Sequence, residues 1–198
     1  KDNNMANIDS AFGLIPIAKV GQNPNNGGLT KYSIADNQST AIFTGDPVTY
    51  KNDGTVEVGT ASTAFCGVFR GCFYTDPSTS KPTWRPYFPA STSPGDAVAF
   101  VVDDPQQSFI AQQDSDSVNL VAANLNENCN LVFGAGNTVT GVSGVEIDSS
   151  SKNTTATHQV RLISFWDTPS NDTTANNSVF VVKINNHQLM GGTGTQGV

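Results

Sequence analysis

The sequence predicts an all-β protein: a small β-barrel or β-sandwich of short antiparallel strands with an extended N-terminal arm. Many short runs rich in Val, Thr and aromatic residues are bounded by turn residues, which is typical of barrels and sandwiches. No window of useful length shows the i, i+3, i+4 pattern of an amphipathic helix. A Gly-Asp turn that opens a strand also occurs twice, at Gly45-Asp46 and Gly95-Asp96.

The two Gly-Asp turns introduce the strands around which we expect the chain to be organised. The first leads into residues 47–50, then Asn52-Asp53-Gly54, then residues 55–58. Asp-Gly between runs of Val and Thr is a strong hairpin signal, because glycine adopts φ > 0 at no steric cost. The second leads into residues 96–102. We interpret both as paired hairpins of one small barrel or sandwich. Neither stretch contains a chemically reactive group, so this core suggests a scaffold more than an active site.

Further short segments bounded by turn residues complete the strand prediction. They are residues 31–35, 41–44, 65–74, 108–113, 130–133, 144–147, 159–166 and 178–184. Residues 84–89 contain two prolines and form an edge strand at best. Residues 119–123 fit a short helical turn or a strand equally well.

The predicted organisation is an extended arm over residues 1–30, a β domain over 31–190 and a flexible Gly-rich tail over 191–198. Residues 11–20 are apolar but interrupted by Gly13 and Pro16, and proline favours extended backbone before it. An Asn/Gly-rich tract follows at residues 21–28. Two interpretations remain open: a first strand of the chain's own domain, or an arm that adds to a partner's sheet edge. The arm would bind its partner through Phe12, Leu14, Ile15, Ile17 and Val20.

Composition restricts the partners. The 198-residue chain has a net charge of −7 and only 14% charged residues, so we expect Asn, Thr, Ser, Gly and Asp to fill the surface. Lys and Arg are scarce and scattered, which argues against a nucleic-acid partner, since phosphates require clustered cations. The apolar runs are too short to cross a bilayer, and the first residues have no long apolar core, so we expect neither membrane insertion nor a signal peptide.

The three cysteines are predicted to be reduced and buried. Their odd number argues against a full disulfide framework. Cys66 and Cys72 fall on one predicted strand, on one face but too far apart along it to bond. We therefore interpret both, together with Cys129, as small buried hydrophobic residues of a protein assembled in a reducing compartment.

No polar group stands out as catalytic or metal-binding. His158 and His187 have no partners marked by the sequence, and Asp103-Asp104 fits an ordinary turn as well as a cation site. The segment at residues 114–117 resembles the start of a calcium loop but lacks the glycine and closing Glu. Residues 141–145 lack the second glycine of a nucleophile elbow. The sequence therefore predicts no catalytic, cofactor-binding or metal-binding residues.

Aromatic residues between prolines are the one candidate ligand surface. Trp84, Tyr87 and Phe88 could form a platform on which a sugar stacks, although aromatics between prolines more often close the end of a barrel. Paired carboxylates for sugar hydrolysis are not marked by any spacing in the sequence.

Several segments resemble a group of structural proteins from tailed double-stranded DNA phages of marine bacteria and cyanobacteria. These segments are residues 11–16, 43–48, 67–71, 102–105, 143–150 and 160–163. The resemblance lies in their overall order over roughly residues 6–190, and it supplies no catalytic residues. It implies a capsid decoration (cement) protein, located on the virion surface and assembled in the host cytoplasm. Its partner would be the phage major capsid protein, and it would form a homo-oligomer on the shell.

Two alternatives belong to other functional classes. One is a phage tail or fibre subunit with a carbohydrate-binding β-sandwich, although the sequence shows neither long repeats nor a trimeric stalk. The other is a secreted β-sandwich glycoside hydrolase, which the lack of a recognisable signal peptide weakens.

Overall fold

A computed structural model describes residues 7–20, 28–191 and 193–197 of the chain and confirms the all-β prediction. The strands are β1 (Ile15–Lys19), β2 (Thr30–Ile34), β3 (Ile42–Phe43), β4 (Pro47–Tyr50), β5 (Thr55–Val58), β6 (Gly67–Asp76), β7 (Lys81–Arg85), β8 (Tyr87–Phe88), β9 (Val98–Val102), β10 (Gln107–Gln112), β11 (Asn128–Cys129), β12 (Leu131–Asn137), β13 (Val142–Ile147), β14 (Val160–Phe165) and β15 (Val179–Ile184). Three 3-10 helices, Ala122–Asn124, Ser149–Ser151 and Gln188–Met190, are the helical elements of the described residues.

The first half of the chain forms a closed barrel. Its strand order is β4-β5-β2-β9-β6, and β6 pairs back to β4, while β7 extends the sheet beyond β6. We expected antiparallel pairing throughout, but β2 and β5 are parallel. A ring with an odd number of strands cannot alternate direction all the way round, so a five-stranded barrel requires at least one parallel pair.

Both Gly-Asp turns lead into strands of this barrel, as the sequence predicted. They introduce β4 and β9, each of which pairs with the long strand β6. Gly45 and Gly95 have φ of +98° and +76°, and Gly54 in the β4–β5 hairpin has φ of +82°. These left-handed conformations explain why glycine occupies the turns.

The second half of the chain, together with β1, forms an open structure that we call the sheet region. Its main sheet has the order β1-β10-β15-β14-β11, and β12 and β13 form a separate antiparallel hairpin. The sheet region and the barrel have separate hydrophobic cores. Three buried residues contributed from the barrel side, Phe65, Val68 and Val102, nevertheless belong to the core of the sheet region. They therefore couple the two regions.

The predicted N-terminal arm is part of this fold. Residues 15–19 form strand β1, which pairs antiparallel with β10. Just before it, the Gly13 N–H donates to the Val145 carbonyl at 3.2 Å and the Leu14 N–H to the Gly45 carbonyl at 2.9 Å. Of the two interpretations, the structure therefore shows the first: this segment is a strand of the chain's own fold. Most of the predicted flexible tract, residues 21–27, lies outside the described residues.

The predicted flexible tail is also bound to the sheet region over its described residues 193–197. The carbonyl of Thr195 accepts from the Arg161 guanidinium at 2.8 Å and from the Asn128 amide at 2.9 Å. Further along, the Gly197 N–H donates to the Thr154 carbonyl at 3.0 Å. Side-chain donors of the sheet thus hold a segment whose composition alone predicted mobility.

Smaller features agree with the sequence or refine it. Cys66, Cys72 and Cys129 are free and buried, as predicted, and burial raises each thiol pKa to about 12. The ambiguous segment at 119–123 contributes to the 3-10 helix Ala122–Asn124. No helix in the described part of the chain is long and apolar enough to span a membrane.

Candidate binding groove

A groove with a volume of about 820 Å³ lies between the barrel and the β12–β13 hairpin. This volume is within the ~300–1,000 Å³ range of ligand sites. The barrel side contributes Thr40, Ala41, Phe43, Asp46, Val58, Gly59, Thr60 and Ala61, and the hairpin side contributes residues 131–136, Val145 and Asp148. The successive β12 residues show that the edge of this strand lines the groove along its length.

Small residues on β12 let the barrel approach it closely. A Cβ at Gly136 would collide with the Phe43 ring, so this ring lies directly on the glycine backbone. The Phe43 ring is itself stacked on Tyr87, with ring centroids 5.3 Å apart and an interplanar angle of 13°. Aromatic packing therefore fixes one end of the groove.

Gln159 connects the two walls at the other end. Its side chain is 1% exposed. The Nε2 amide donates to the Thr60 carbonyl on the barrel side at 2.6 Å, and Oε1 accepts from the Leu131 N–H on β12 at 2.9 Å. This single amide therefore bridges the two walls.

Asp46 is the buried ionisable group of the groove. The side chain is 5% exposed, and its carboxylate accepts from the Phe43 N–H at 2.8 Å. Desolvation raises the pKa of Asp46 to about 6, partly offset by hydrogen bonds from the Ser143 side chain and the Phe43 backbone. Asp46 and Asp148 are the only ionisable side chains among the described lining residues. The groove therefore shows no histidine, cysteine or lysine that could form a nucleophile–base pair.

The five residues predicted to bind a partner do not form one exposed surface. Leu14 is fully buried in the core of the sheet region and cannot reach another molecule. Ile15 and Ile17 are half-buried on β1. Phe12 lines a smaller cleft, of about 350 Å³, with Ile110 of the chain's own sheet. Val20 is the most exposed of the five, at 37%. The segment does not form the predicted partner-binding arm, because β1 pairs with β10 of the same chain.

The adjacent carboxylates of Asp103 and Asp104 both bond to other side chains of the same chain. The Asp103 carboxylate accepts from the Tyr32 hydroxyl at 2.5 Å and from the Thr30 hydroxyl at 2.9 Å. Its neighbour Asp104 pairs with Lys19 at 2.7 Å. Both carboxylates therefore join strands of this fold.

A carboxylate cluster brings distant residues together. Asp114, Asp116 and Asp148 each place one oxygen within 4.8 Å of the other two. The first two come from the segment that resembles a calcium loop, and the third lies 32 positions beyond Asp116 in the sequence. Asp114 also accepts from the Ser149 hydroxyl at 2.6 Å, and Asp148 caps the following 3-10 helix. We assign no ligand to this cluster.

The two histidines do not form a site together. His187 is 2% exposed, and its Nδ1 accepts from the Leu189 N–H at 3.2 Å. Burial lowers the pKa of His187. His158 places its Nδ1 3.3 Å from the Asn128 carbonyl. His187 therefore bonds within its own turn, whereas His158 contacts strand β11.

The proposed sugar platform does not form as one surface. Trp84 is exposed on β7 beside Phe73, its partner on β6. Tyr87 is occupied by the Phe43 ring, and Phe88 is fully buried in the barrel core. Trp84 lies on a different strand from the other two, and alternation along β8 sends Tyr87 and Phe88 to opposite faces.

Sequence reasoning missed the groove. Its residues come from β3, the β5 end and β12, which are distant in the chain, and Gly and Ala provide no chemical signal. The one usable sign was the repeated small residues at 134–136. Comparisons with protein-family models, with curated proteins and with solved structures find no match to this chain. The resemblance to phage structural proteins therefore stays a prediction.

Proposed function

We propose that this chain is a non-enzymatic virion protein that decorates the head of a tailed double-stranded DNA phage. It binds the major capsid protein from outside and stabilises the junctions between coat subunits. The observation that carries the proposal is the chemistry of the groove. Apolar side chains and a strand edge line it, and its described residues include no nucleophile–base pair. Such a surface suits protein docking better than catalysis.

Two further features support this proposal. The order of the quoted segments resembles phage structural proteins, and the closed barrel shares buried residues with a second hydrophobic core. Decoration does not require one strong interface, because several weak contacts to a repeating shell raise the overall avidity. A homo-oligomer on the capsid surface would multiply these contacts. Neither a nucleic-acid partner nor a membrane is required.

Quantitative mass spectrometry of purified virions tests the proposal. A decoration protein occurs in many copies, in a fixed proportion to the major capsid protein. Purified protein should also cosediment with empty expanded shells and raise their melting temperature. A copy number matching one tail structure would favour the tail or fibre alternative. Absence from virions, together with sugar-cleaving activity of the purified chain, would favour the hydrolase.

A further inference from the structure

Three hydrogen bonds show which way the backbone of the β12–β13 hairpin points. Leu131 donates its N–H to Gln159, while Val145 and Ile147 on β13 accept at their carbonyls from Gly13 at 3.2 Å and Asp114 at 3.0 Å. Each bond runs away from the hairpin. Leu131 is opposite Ile147, so this pair does not exchange main-chain bonds within the hairpin.

The same alternation places Phe133 at an open edge. Phe133 is opposite Val145, whose carbonyl points away from β12. The N–H and C=O of Phe133 must therefore point away from β13, towards the groove. Within the described residues β12 pairs with β13 alone, and no hydrogen bond reaches the Phe133 main chain from the barrel side. These groups lie beside an apolar groove, where unpaired main-chain groups are costly.

Gln159 already occupies the adjacent position on this edge. Its Oε1 accepts from the Leu131 N–H, as the carbonyl of a neighbouring strand would. Two residues further on, at Phe133, the equivalent position is open to the groove. A strand placed there would continue the line of acceptors that Gln159 begins.

Charge restricts the segment that fits. Both ionisable side chains among the described lining residues, Asp46 and Asp148, are acidic. The whole chain also has a net charge of −7. An apolar segment with a basic residue complements such a groove, whereas an acidic segment would be repelled.

We propose that the groove accepts an extended, apolar polypeptide segment with a basic residue, which adds as a strand to the free edge of β12. Main-chain bonds to Phe133 align the segment, and its alternate side chains fill the groove towards Phe43 and Val145. That the segment belongs to the major capsid protein is a further step, which rests on the proposed function.

The main-chain part of this proposal is tested with peptides on the full-length protein. The probe is a fluorescein-labelled, capped hexapeptide Lys-Val-Ser-Val-Ser-Val, titrated by fluorescence anisotropy. Two derivatives carry N-methyl groups either on alternate valines or on the alternate serines. Strand addition uses only one set of amides, so one derivative should bind about tenfold more weakly and the other nearly as well as the parent. Equal effects of both derivatives, or no binding of the parent peptide, would overturn the proposal.

A pair of variants locates the binding site. Ala135 is an exposed small residue in the groove wall, and Val139, 93% exposed, lies in the turn of the same hairpin outside the groove. A135R should abolish peptide binding, and V139R should leave it unchanged. Unaffected binding in A135R would show that the peptide binds elsewhere. If A135R fails to fold, the N-methyl comparison still decides.

Shell binding separates this inference from the proposed function. If A135R loses both the peptide and the shells, the occupant is a coat segment. Loss of the peptide with full binding to shells would rule out the coat segment as occupant. If the wild-type protein binds the peptide but no shells, the strand-accepting groove stands and the decoration function fails. A dimer that A135R converts to a monomer would identify the occupant as a second copy and overturn the coat assignment.

Discussion

The barrel and the sheet region satisfy their main-chain hydrogen bonds in different ways. Ring closure gives each of the five barrel strands two neighbours, and the barrel buries few polar side chains. The sheet region is open, with β1 and β11 at its edges and long loops between strands. There the buried polar side chains of the described residues include eight amides, among them Gln107, Gln112, Gln113, Asn128 and Gln159.

These amides satisfy main-chain groups of the sheet region, as the pairing of neighbouring strands does in the closed barrel. Gln112 is 4% exposed; it donates to the carbonyls of Ile8 and Asn177 and accepts from the Ser10 N–H, at 2.8–2.9 Å. Asn128 similarly donates to the carbonyls of Thr155 and Thr195. An amide carries both donors and an acceptor without charge, so it can satisfy buried loops at no ionic desolvation cost. Uncharged polar residues thus serve the interior as well as the surface.

The largest expected effect tests whether the two regions are independent. Phe69 in the barrel core and Phe180 in the sheet core are both fully buried. F69A and F180A should each lower the free energy of unfolding by about 3–5 kcal/mol. Because Phe65, Val68 and Val102 couple the cores, we expect one transition in chemical denaturation for each variant.

Thiol labelling during that denaturation reports each region separately. Cys66 and Cys72 belong to the barrel core and Cys129 to the sheet core. All three should become reactive together. Earlier labelling of the barrel pair in F69A would show that the regions unfold separately. V139A, at an exposed position, is the control and should change stability by less than ~0.5 kcal/mol.

The second effect tests the role of buried amides. Q159L removes the acceptor for the Leu131 N–H and the donor to the Thr60 carbonyl, leaving buried main-chain groups unpaired. We expect a loss of about 2–4 kcal/mol in urea denaturation. Q106L replaces an exposed glutamine and should cost less than ~0.5 kcal/mol. Similar small losses in both variants would refute the structural role of this amide.

A smaller, pH-dependent effect is expected at the groove. The pKa of Asp46 is raised from 3.8 to about 6 in the folded protein, so its protonated form favours folding. Its contribution is fully present below pH ~4 and is lost as pH rises through about 6, an effect of about 3 kcal/mol at most.

D46N removes this dependence while retaining a carbonyl acceptor for the Phe43 N–H. The stability of D46N relative to wild type should therefore rise between pH 4 and 6 and stay constant above pH 7. Comparing the two proteins at each pH cancels the contributions of Glu146 and His187, whose pKa values are also shifted. A difference that does not vary with pH would contradict the burial of a titrating carboxyl at Asp46.

The smallest effect concerns the edge of the sheet. Lys19 at the end of β1 and Asp104 in the loop before β10 form a partly exposed ion pair at 2.7 Å. A double-mutant cycle with K19M and D104N should give a coupling energy of about 0.2–1 kcal/mol, because exposed pairs contribute little. β1 should remain protected from proteolysis in K19M, since the ladder to β10 holds it. Cleavage near residue 19 in K19M would show that the ion pair anchors the strand.

Local chemistry accounts for the parts of the fold that the sequence predicted well. The strands Pro47–Tyr50 and Thr55–Val58 agree residue for residue with the prediction, because the Asp53-Gly54 turn determines their ends. The groove was not predictable in this way. Gln159 reads as an ordinary strand-opening polar residue, and its connection of Thr60 to Leu131 spans 99 and 28 positions of sequence.

The sequence by itself determined the all-β class, the two glycine turns of the barrel and three reduced cysteines, because each depends on residue type or on neighbours along the chain. The tertiary structure decided whether residues 15–19 are an arm or a strand. An extended apolar segment has the same pattern in both cases, and only the β10 edge, about ninety positions away, selects the pairing. It also decided the parallel β2–β5 pair and the open edge at Phe133. The parallel pair follows from the odd number of strands in the closed ring, and the open edge follows from β12 having one partner strand. Neither property is local in the sequence.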